Sequence, residues 1–481
     1  MTLRSRQQYV ESIRKMNAEA YMRGKRIPDV SKNGFTRLAL QGIGQIYELA
    51  RDEKYADLLT RTREDGLRIS AYCSIHRSRE DLVNRVRAAR LICQQTGVCT
   101  ASRCCGWDAL NALWHTTYEI DQKSGTEYHR RLKRYAAMVQ GKDLTCAGAL
   151  TDPKGNRSLK AKHQPDKDVY LRVVDENKKG IVVRGAKSMI GGAIGSHEII
   201  VQPGTGFSEA EKEHAVSFAI PLNAEGVVQV VDLQSGGERK LEKGFDKGNI
   251  SFGSSESLVV FDDVFVPKER VFMNGEYDYA ADAVAKFVLL HRMVLGGCLA
   301  GCGDVLTGAA ALLAEYNGLS RQLSDRLAEM TYLSEALYSQ ALGAAYEGQR
   351  TPSGAFFPDP LLANVTKISV TRLPYEIQKI AEDIGGGMIA CMPSELDLRN
   401  PKIGPLVEKY YRGSNGVTAE RRLRTARLIE SMVSGPGRLG ALCMHGGGSP
   451  AAAQMTVRQL SDLERKKELA RRLAGVTAEL A

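Results

Sequence analysis

The chain has 481 residues, of which 43% are hydrophobic and 25% charged. That is a globular composition with room for two or three sub-domains around sizeable cores. No run of about 18 or more apolar residues occurs, so a membrane-spanning helix is not expected. The start of the chain also lacks the apolar core of a signal peptide, and a cytoplasmic location is the expectation. Lys and Arg total 66 against 56 acidic residues, a net charge of +10. The excess favours an anionic partner. Aromatics are only 6% and no Lys/Arg stripe interleaves with them, which argues against nucleic acid. A phosphate-rich cofactor or a coenzyme A thioester is the better anionic candidate.

The first stretch, 1–143, reads helical. Leu58-Leu59-Thr-Arg-Thr-Arg and Leu82-Val-Asn-Arg-Val-Arg-Ala-Ala-Arg-Leu-Ile mix apolar and basic residues at helical spacing. Over 144–275 the texture changes to short β-branched runs separated by Gly, Pro and Asp. Examples are Val169-Tyr-Leu-Arg-Val-Val, Gly180-Ile-Val-Val-Arg-Gly, Val216-Ser-Phe-Ala-Ile-Pro and Ser257-Leu-Val-Val-Phe. Their spacing predicts a middle β domain. Over 276–481 helices return. Two are expected between Ala309 and Glu347, one over Leu362 to Asp383, and a charged amphipathic one over Val457 to Leu480, suited to packing or oligomer contact.

Ten cysteines in a chain expected in the cytosol do not suggest a disulfide framework. Cys73, Cys93, Cys146, Cys391 and Cys443 are scattered and read as buried, inert thiols. Two other stretches stand apart: Cys99-Thr-Ala-Ser-Arg-Cys104-Cys105 and His291-Arg-Met-Val-Leu-Gly-Gly-Cys298. Together they offer the thiolates and imidazole that an iron–sulfur cluster uses. On an unbroken helix His291 and Cys298 would share a face about 10 Å apart. Gly296 and Gly297 are expected to break that helix and fold the thiolate back. The plain alternatives are cysteines that only pack and a hydrogen-bonded core histidine. A zinc site lacks the CxxC repeats that would support it.

Helices, a β domain and helices again form the layout of an α+β, acyl-CoA dehydrogenase-like fold, a weak argument alone. Motifs strengthen it. Tyr118-Glu-Ile-Asp-Gln-Lys-Ser-Gly-Thr-Glu-Tyr-His129, Thr151-Asp-Pro-Lys-Gly-Asn-Arg157, Val183-Arg-Gly-Ala-Lys187, Ser196-His-Glu198, Leu258-Val-Val-Phe-Asp-Asp-Val-Phe-Val-Pro267 and His445-Gly-Gly-Gly-Ser-Pro450 resemble the 4-hydroxybutyryl-CoA dehydratase/vinylacetyl-CoA Δ-isomerase family. More loosely, they are similar to the flavin-dependent 4-hydroxyphenylacetate 3-monooxygenases. The Cys…Cys…His-x6-Cys ligand set separates the dehydratase branch. The resemblance implies that Cys99, Cys104, His291 and Cys298 hold a [4Fe-4S] cluster. Its first pair is Cys-x3-Cys in the family and Cys-x4-Cys-Cys here, so Cys105 is the alternative second thiolate and Cys302 a spare. Distance from Gly106-Trp-Asp108 favours Cys104.

The resemblance also implies FAD, contacted by Thr151, Lys154, Arg157 and Gly191. Gly385, Gly386 and Gly387 would meet the cofactor of a neighbouring subunit, against the plainer reading of a helix C-cap. At least a dimer, and by the habit of the fold a homotetramer, follows. Glu256 matches a family active-site glutamate and would relay protons, with His291 the catalytic base. The implied reaction is radical dehydration of a γ-hydroxyacyl-CoA thioester to an enoyl-CoA, with possible Δ-isomerase activity.

Some positions depart from the family. Leu295 stands for Tyr, Leu299 for Lys, Gly191 for a Thr beside the flavin, and Leu442 for Glu. They leave a drier pocket with fewer proton donors, which suits isomerisation better than loss of water. The rivals are a phenol monooxygenase with purely structural cysteines, and a paralogue that acts on another acyl-CoA or only assembles.

Overall fold

The structure, a computed structural model, describes residues 3–476, without the side chains of Ser102, Leu442, Cys443 and His445. The end of the expected tail helix and the Leu442 side chain therefore lie outside the described residues.

The N-terminal part is built from α1 (Arg6–Met16), α2 (Thr36–Arg51), α3 (Ala56–Leu59), α4 (Arg79–Thr96), α5 (Ser102–Ser124) and α6 (Tyr128–Lys142). Helix α4 is delimited by local chemistry. Ser78 and Asp81 form a capping box at its start, and Gly97 ends it at φ +66°, where a residue without Cβ adopts the left-handed conformation freely. The Leu58–Arg63 stretch, expected as helix, is helical only through Leu59. Thr60–Thr62 (β3) then pairs with Arg68–Ser70 (β4), because β-branched threonines at alternate positions favour the extended chain over a one-turn helix. The same part also holds β1 (Ala20–Met22) and β2 (Lys25–Arg26), which extend the larger sheet below.

The middle strands are β5 (Cys146–Ala149), β6 (Arg172–Asn177), β7 (Gly180–Gly191), β8 (Glu198–Val201), β9 (Val216–Pro221), β10 (Val227–Val231), β11 (Glu256–Pro267) and β12 (Val271–Asn274). They form a six-stranded sheet ordered β2-β1-β10-β11-β7-β6 and a four-stranded sheet ordered β12-β9-β8-β5. Val259, Phe261, Val264, Ile181 and Val183 fill one core with Ile199, Val201, Phe218 and Ile220. The antiparallel register of β11 on β7 places Glu256 opposite Gly191. That pairing brings together two positions 65 residues apart in sequence (256 − 191).

The C-terminal part opens with α7 (Ala280–Tyr316), followed by α8 (Ser324–Tyr346), α9 (Pro360–Val370), α10 (Leu373–Gly385), α11 (Gly387–Ala390), α12 (Glu395–Arg399), α13 (Gly404–Tyr411), α14 (Ala419–Val433), α15 (Leu439–His445), α16 (Pro450–Leu460) and α17 (Leu463–Ala474). The single helix expected over Leu362 to Asp383 is two: Pro374 has no N–H for the Val370 carbonyl and its ring clashes there, so α9 ends at Val370 and Pro374 sits in the first turn of α10. The tail is likewise two helices. Helix α7 is long and apolar enough to cross a membrane by length and composition, but 72% of its apolar window is buried inside the fold.

Helix α7 also corrects an expectation: it runs unbroken through Gly296 and Gly297. A Cβ at Gly297 would lie 2.5 Å from the Val86 carbonyl oxygen of α4, and one at Gly296 2.6 Å from the Leu337 oxygen of α8. These glycines let backbones approach closely; they do not bend the chain.

Candidate active site

Where the β domain meets α5 and α7 there is a cavity of about 180 Å³, opening into a cleft of about 1100 Å³ in all. Cys99, Thr151, Lys154, Gly191, Glu256 and His291 all line it. Six of the positions singled out in the sequence thus face one space.

The helical wall carries the sulfurs. Along α7, His291, Leu295 and Leu299 follow one another at intervals of four and line the cavity as one stripe. Cys104 projects from the first turn of α5 and stands against both ends of the His291–Cys298 pair, its ligand atom within 4.8 Å of that of His291 and its thiol acting electrostatically on Cys298. Cys298 in turn contacts Cys99. His291 and Cys298 therefore come together with Cys104 and Cys99 without any break in the helix. Cys105 lines the cavity instead and its thiol is pushed well above the usual range by burial.

Behind Cys104 lies a charge network that sequence reasoning missed. Asp108, four residues after Cys104 on α5, has no exposed surface. It pairs with the guanidinium of Arg85, and its Oδ2 lies 2.9 Å from His291 Nδ1. Arg85 also reaches Cys104, 3.3 Å to its carbonyl oxygen and 3.6 Å to Sγ. Burial alone would lower the His291 pKa, but hydrogen bonds to Asp108 and Cys104 outweigh it and hold the value up at about 10. The hydrogen bond from Cys298, with Arg85 and His291, holds Cys104 well below the thiol range despite burial. Cys104, Asp108 and His291 present ligand atoms all within 4.8 Å of one another. The i,i+4 spacing of Cys104 and Asp108 was the available signal. Cys93, expected to be inert, hydrogen-bonds Cys298 and Cys302, which lower it to about 5. No spacing in the sequence pointed to it.

The sheet wall is polar. Asp152 and Lys187 form a buried ion pair at 2.7 Å, and the Lys187 ammonium also donates to the carbonyls of Leu150 and Gln202. All three donor positions are satisfied. This pins the turn from which Thr151 and Lys154 face the cavity, with Lys154 at φ +71°. Gly191 is forced by a neighbour: a Cβ there would sit 2.5 Å from the Ala101 Cβ, in the loop that carries Cys99. Opposite, the roof Gly446–Gly448 is held by Arg292, whose Nε donates to the Gly447 carbonyl at 2.8 Å, and by Lys367, which donates to the Gly446 carbonyl. Helix α7 thus contributes both a wall and a roof anchor.

Arg157 is exposed and does not line this cavity. Gly385–Gly387, expected against a neighbouring subunit's cofactor rather than here, lie at the α10 end, with Gly386 at φ +59° as its C-cap. Cys391, expected buried, is exposed.

A helical layer, two sheets and a helical bundle, with a cavity where they meet, define an acyl-CoA dehydrogenase-like protein. Glutaryl-coenzyme A dehydrogenase shares that fold, with a TM-score of 0.52 at 13% identity over 99% of this chain and 97% of its own. More specifically, residues 5–273 match the 4-hydroxyphenylacetate 3-hydroxylase N-terminal family model and residues 280–475 its C-terminal model. The 4-hydroxybutyryl-CoA dehydratase/vinylacetyl-CoA-Δ-isomerase of Clostridium aminobutyricum is 42% identical over 98% of this chain and 100% of its own. The oxygen-tolerant archaeal 4-hydroxybutyryl-CoA dehydratase structure from N. maritimus superposes with a TM-score of 0.97 at 40% identity, covering 100% of this chain and 96% of that one. The FAD complex of the oxygenase component of 4-hydroxyphenylacetate 3-monooxygenase follows at 0.86 and 26%, covering 98% of each. The chain belongs to the 4-hydroxybutyryl-CoA dehydratase/vinylacetyl-CoA isomerase family, within the 4-hydroxyphenylacetate 3-hydroxylase superfamily.

Proposed function

We propose that this protein is a lyase acting on acyl-CoA thioesters: with FAD and a [4Fe-4S] cluster it dehydrates a γ-hydroxyacyl-CoA of the 4-hydroxybutyryl type to an enoyl-CoA, and it carries Δ-isomerase activity. The observation that carries the reading is the meeting of Cys99, Cys104, Cys298 and His291 on one wall, across a cavity from Glu256. Three sulfurs and one imidazole form a donor set suited to a cubane, and the buried Asp108 orients the imidazole from behind. Thr151, Lys154 and the approach cleared by Gly191 suit a flavin on the sheet side. When bound, the cluster and flavin supply Lewis-acid iron and one-electron chemistry.

The chain's own residues do the rest. The His291 ring nitrogen opposite Asp108 is the one that would hold iron, and where it is not so engaged it is the atom that takes a substrate proton. The Glu256 carboxylate passes protons at the other end of the cavity. Phe287, Leu295 and Leu299 keep water from the reacting carbons. The protein works as a homotetramer in the cytoplasm.

A second reading has its own support. Leu295 and Leu299, beside His291, offer a departing hydroxyl no hydrogen bond, so the double-bond shift of vinylacetyl-CoA to crotonyl-CoA fits this wall better than dehydration. The test is the iron, sulfide and flavin content of anaerobically purified protein, with assays on 4-hydroxybutyryl-CoA and vinylacetyl-CoA. About four irons and one FAD per chain with turnover of either thioester is the expected result. Flavin without iron would overturn the cluster reading and point to phenol hydroxylation.

A further inference from the structure

We propose that Arg85 is a positioning residue that acts through Cys104: it donates an N–H···S hydrogen bond to the thiolate and sets a positive charge beside it, raising the reduction potential of the bound cluster. This rests on the reading that Cys99, Cys104, His291 and Cys298 hold a [4Fe-4S] cluster. The geometry begins on α4. Arg85 Nη2 lies 3.6 Å from Cys104 Sγ and 3.3 Å from the Cys104 carbonyl oxygen, and it donates as well to Asp108 Oδ1. Cys104 and Asp108 are four residues apart on α5 and so share a face; a guanidinium laid across that face from α4 meets both. Its Nη1 stands 3.4 Å from His76 Nε2, and its Cζ lies 4.6 Å from the Trp107 ring centroid. These contacts fix the head group against the sulfur.

An ion pair with Asp108 would by itself account for a buried arginine. Two observations go further. Arg85 Nη2 addresses Cys104 twice, at the carbonyl and at the sulfur, while Asp108 turns its other oxygen to His291, with Oδ2 2.9 Å from Nδ1. One guanidinium therefore touches one expected ligand directly and reaches a second through a single residue. The contact is also selective. Among the described residues no lysine or arginine side chain makes a hydrogen bond to Cys99 or Cys298. Arg85 is 1% exposed, where water screens a charge little. Hydrogen bonds to the sulfurs and the local net charge set the potential of an iron–sulfur cluster. A cationic donor at Cys104 draws electron density from the thiolate, which favours the reduced form. Asp108 acts in the opposite sense: its carboxylate lies within 4.8 Å of the same sulfur, and behind a ligating imidazole it makes that nitrogen a better donor. The pair thus makes the two ligands unequal, with sulfur weakened by Arg85 and nitrogen strengthened by Asp108.

The experiment measures the reduction potential of the bound cluster by dithionite titration, followed by visible absorption and electron paramagnetic resonance. Iron and sulfide per chain are the check on loading. The native protein is compared with Arg85→Gln, Arg85→Lys and Asp108→Asn. Arg85→Gln can still donate a hydrogen bond but carries no charge. At a given potential its reduced-to-oxidised ratio should fall about tenfold, equivalent to about 59 mV for a one-electron couple. Arg85→Lys keeps the charge and should recover most of that shift, and Asp108→Asn should move the ratio the opposite way. Arg85→Gln leaves Asp108 without its counter-ion, so a second comparison sets the combined Arg85→Gln and Asp108→Asn variant against Asp108→Asn alone. The same fall of about tenfold is expected there. A role confined to packing would shift Arg85→Gln and Asp108→Asn alike, or move neither. An unmoved potential in iron-loaded variants, or a shift of one sign for both residues, overturns the proposal. Loss of iron in every Arg85 variant, Arg85→Lys included, also overturns it and assigns the arginine to holding the site together. Native protein without iron overturns the cluster reading itself.

Discussion

Replacing Gly297 by alanine tests whether close backbone approach or chain flexibility explains the glycines beside Cys298. A methyl at this position would stand 2.5 Å from the Val86 oxygen and 3.2 Å from Val86 Cγ1, against ordinary contacts near 3.4 Å or more. Helix α4 must therefore retreat by most of an ångström, an overpacking cost of about 1–3 kcal/mol. Alanine's helix preference over glycine returns roughly 0.8–1 kcal/mol. Gly308 on the same helix isolates that second contribution, since a Cβ there meets nothing within 4 Å. Gly308→Ala should stabilise the protein by close to 1 kcal/mol. The difference between the two variants cancels propensity and reads the clash alone, about 1–3 kcal/mol. Urea unfolding followed by circular dichroism measures it. Equal midpoints for Gly297→Ala and Gly308→Ala would refute the argument and return Gly297 to the role of a hinge.

Asp108→Asn leaves the Arg85 charge unpaired in a site where its side chain is 1% exposed; a loss of about 3–5 kcal/mol is expected in the same assay, and Arg85→Met added to it should recover part of that loss. Cys104→Ser should remove iron from the purified protein, whereas Cys105→Ser and Cys93→Ser should retain it, measured as iron and sulfide per chain. Lys240 gives stability a pH dependence of defined sign. Its folded pKa is depressed to about 7 from 10.5, so the unfolded state binds more protons between those values. Stability should rise with pH through that window, by up to about 1.4 kcal/mol per unit, and Lys240→Met should flatten the rise.

Much of the fold was legible because its signals are local. The β-branched runs of 169–267 became strands, and the apolar-and-basic run from Leu82 became the body of α4. The same locality explains the errors. Glycines in sequence cannot show what lies across from them, and only the packed partners Val86 and Leu337 turn Gly296 and Gly297 from a break into a contact surface. Cys99, Cys104, His291 and Cys298 drew attention because they are rare residue types in two short stretches, and the resemblance rather than the spacing named them as a set. Arg85 and Asp108 did not: a buried arginine and aspartate look like surface charges until α4 and α5 are laid together. Cys93, on α4 and six residues before Cys99 in the following loop, owes its contact with Cys298 wholly to tertiary packing.

The two walls of the cavity divide the chemistry. The helical side offers Phe287, Leu295 and Leu299 with Cys99, Cys105 and His291 set among them, and the buried Arg85 and Asp108 stand behind Cys104 and His291 without lining the cavity. The sheet side offers Thr151, Lys154, Ser254 and Glu256. An acyl-CoA entering such a space would turn its polar thioester carbonyl toward the sheet and its hydrocarbon end toward α7. A hydroxyl on that end would then meet leucine unless iron received it, whereas a terminal alkene would meet only matching apolar surface. On the proposed function, Leu295 and Leu299 would therefore govern the choice between the two thioesters more than any residue on the sheet. Leu295→Tyr and Leu299→Lys, singly and together, should raise the ratio of hydroxyacyl to enoyl turnover. If that ratio, measured by chromatography of the CoA products, stays fixed while both activities persist, the apolar wall does not select the substrate.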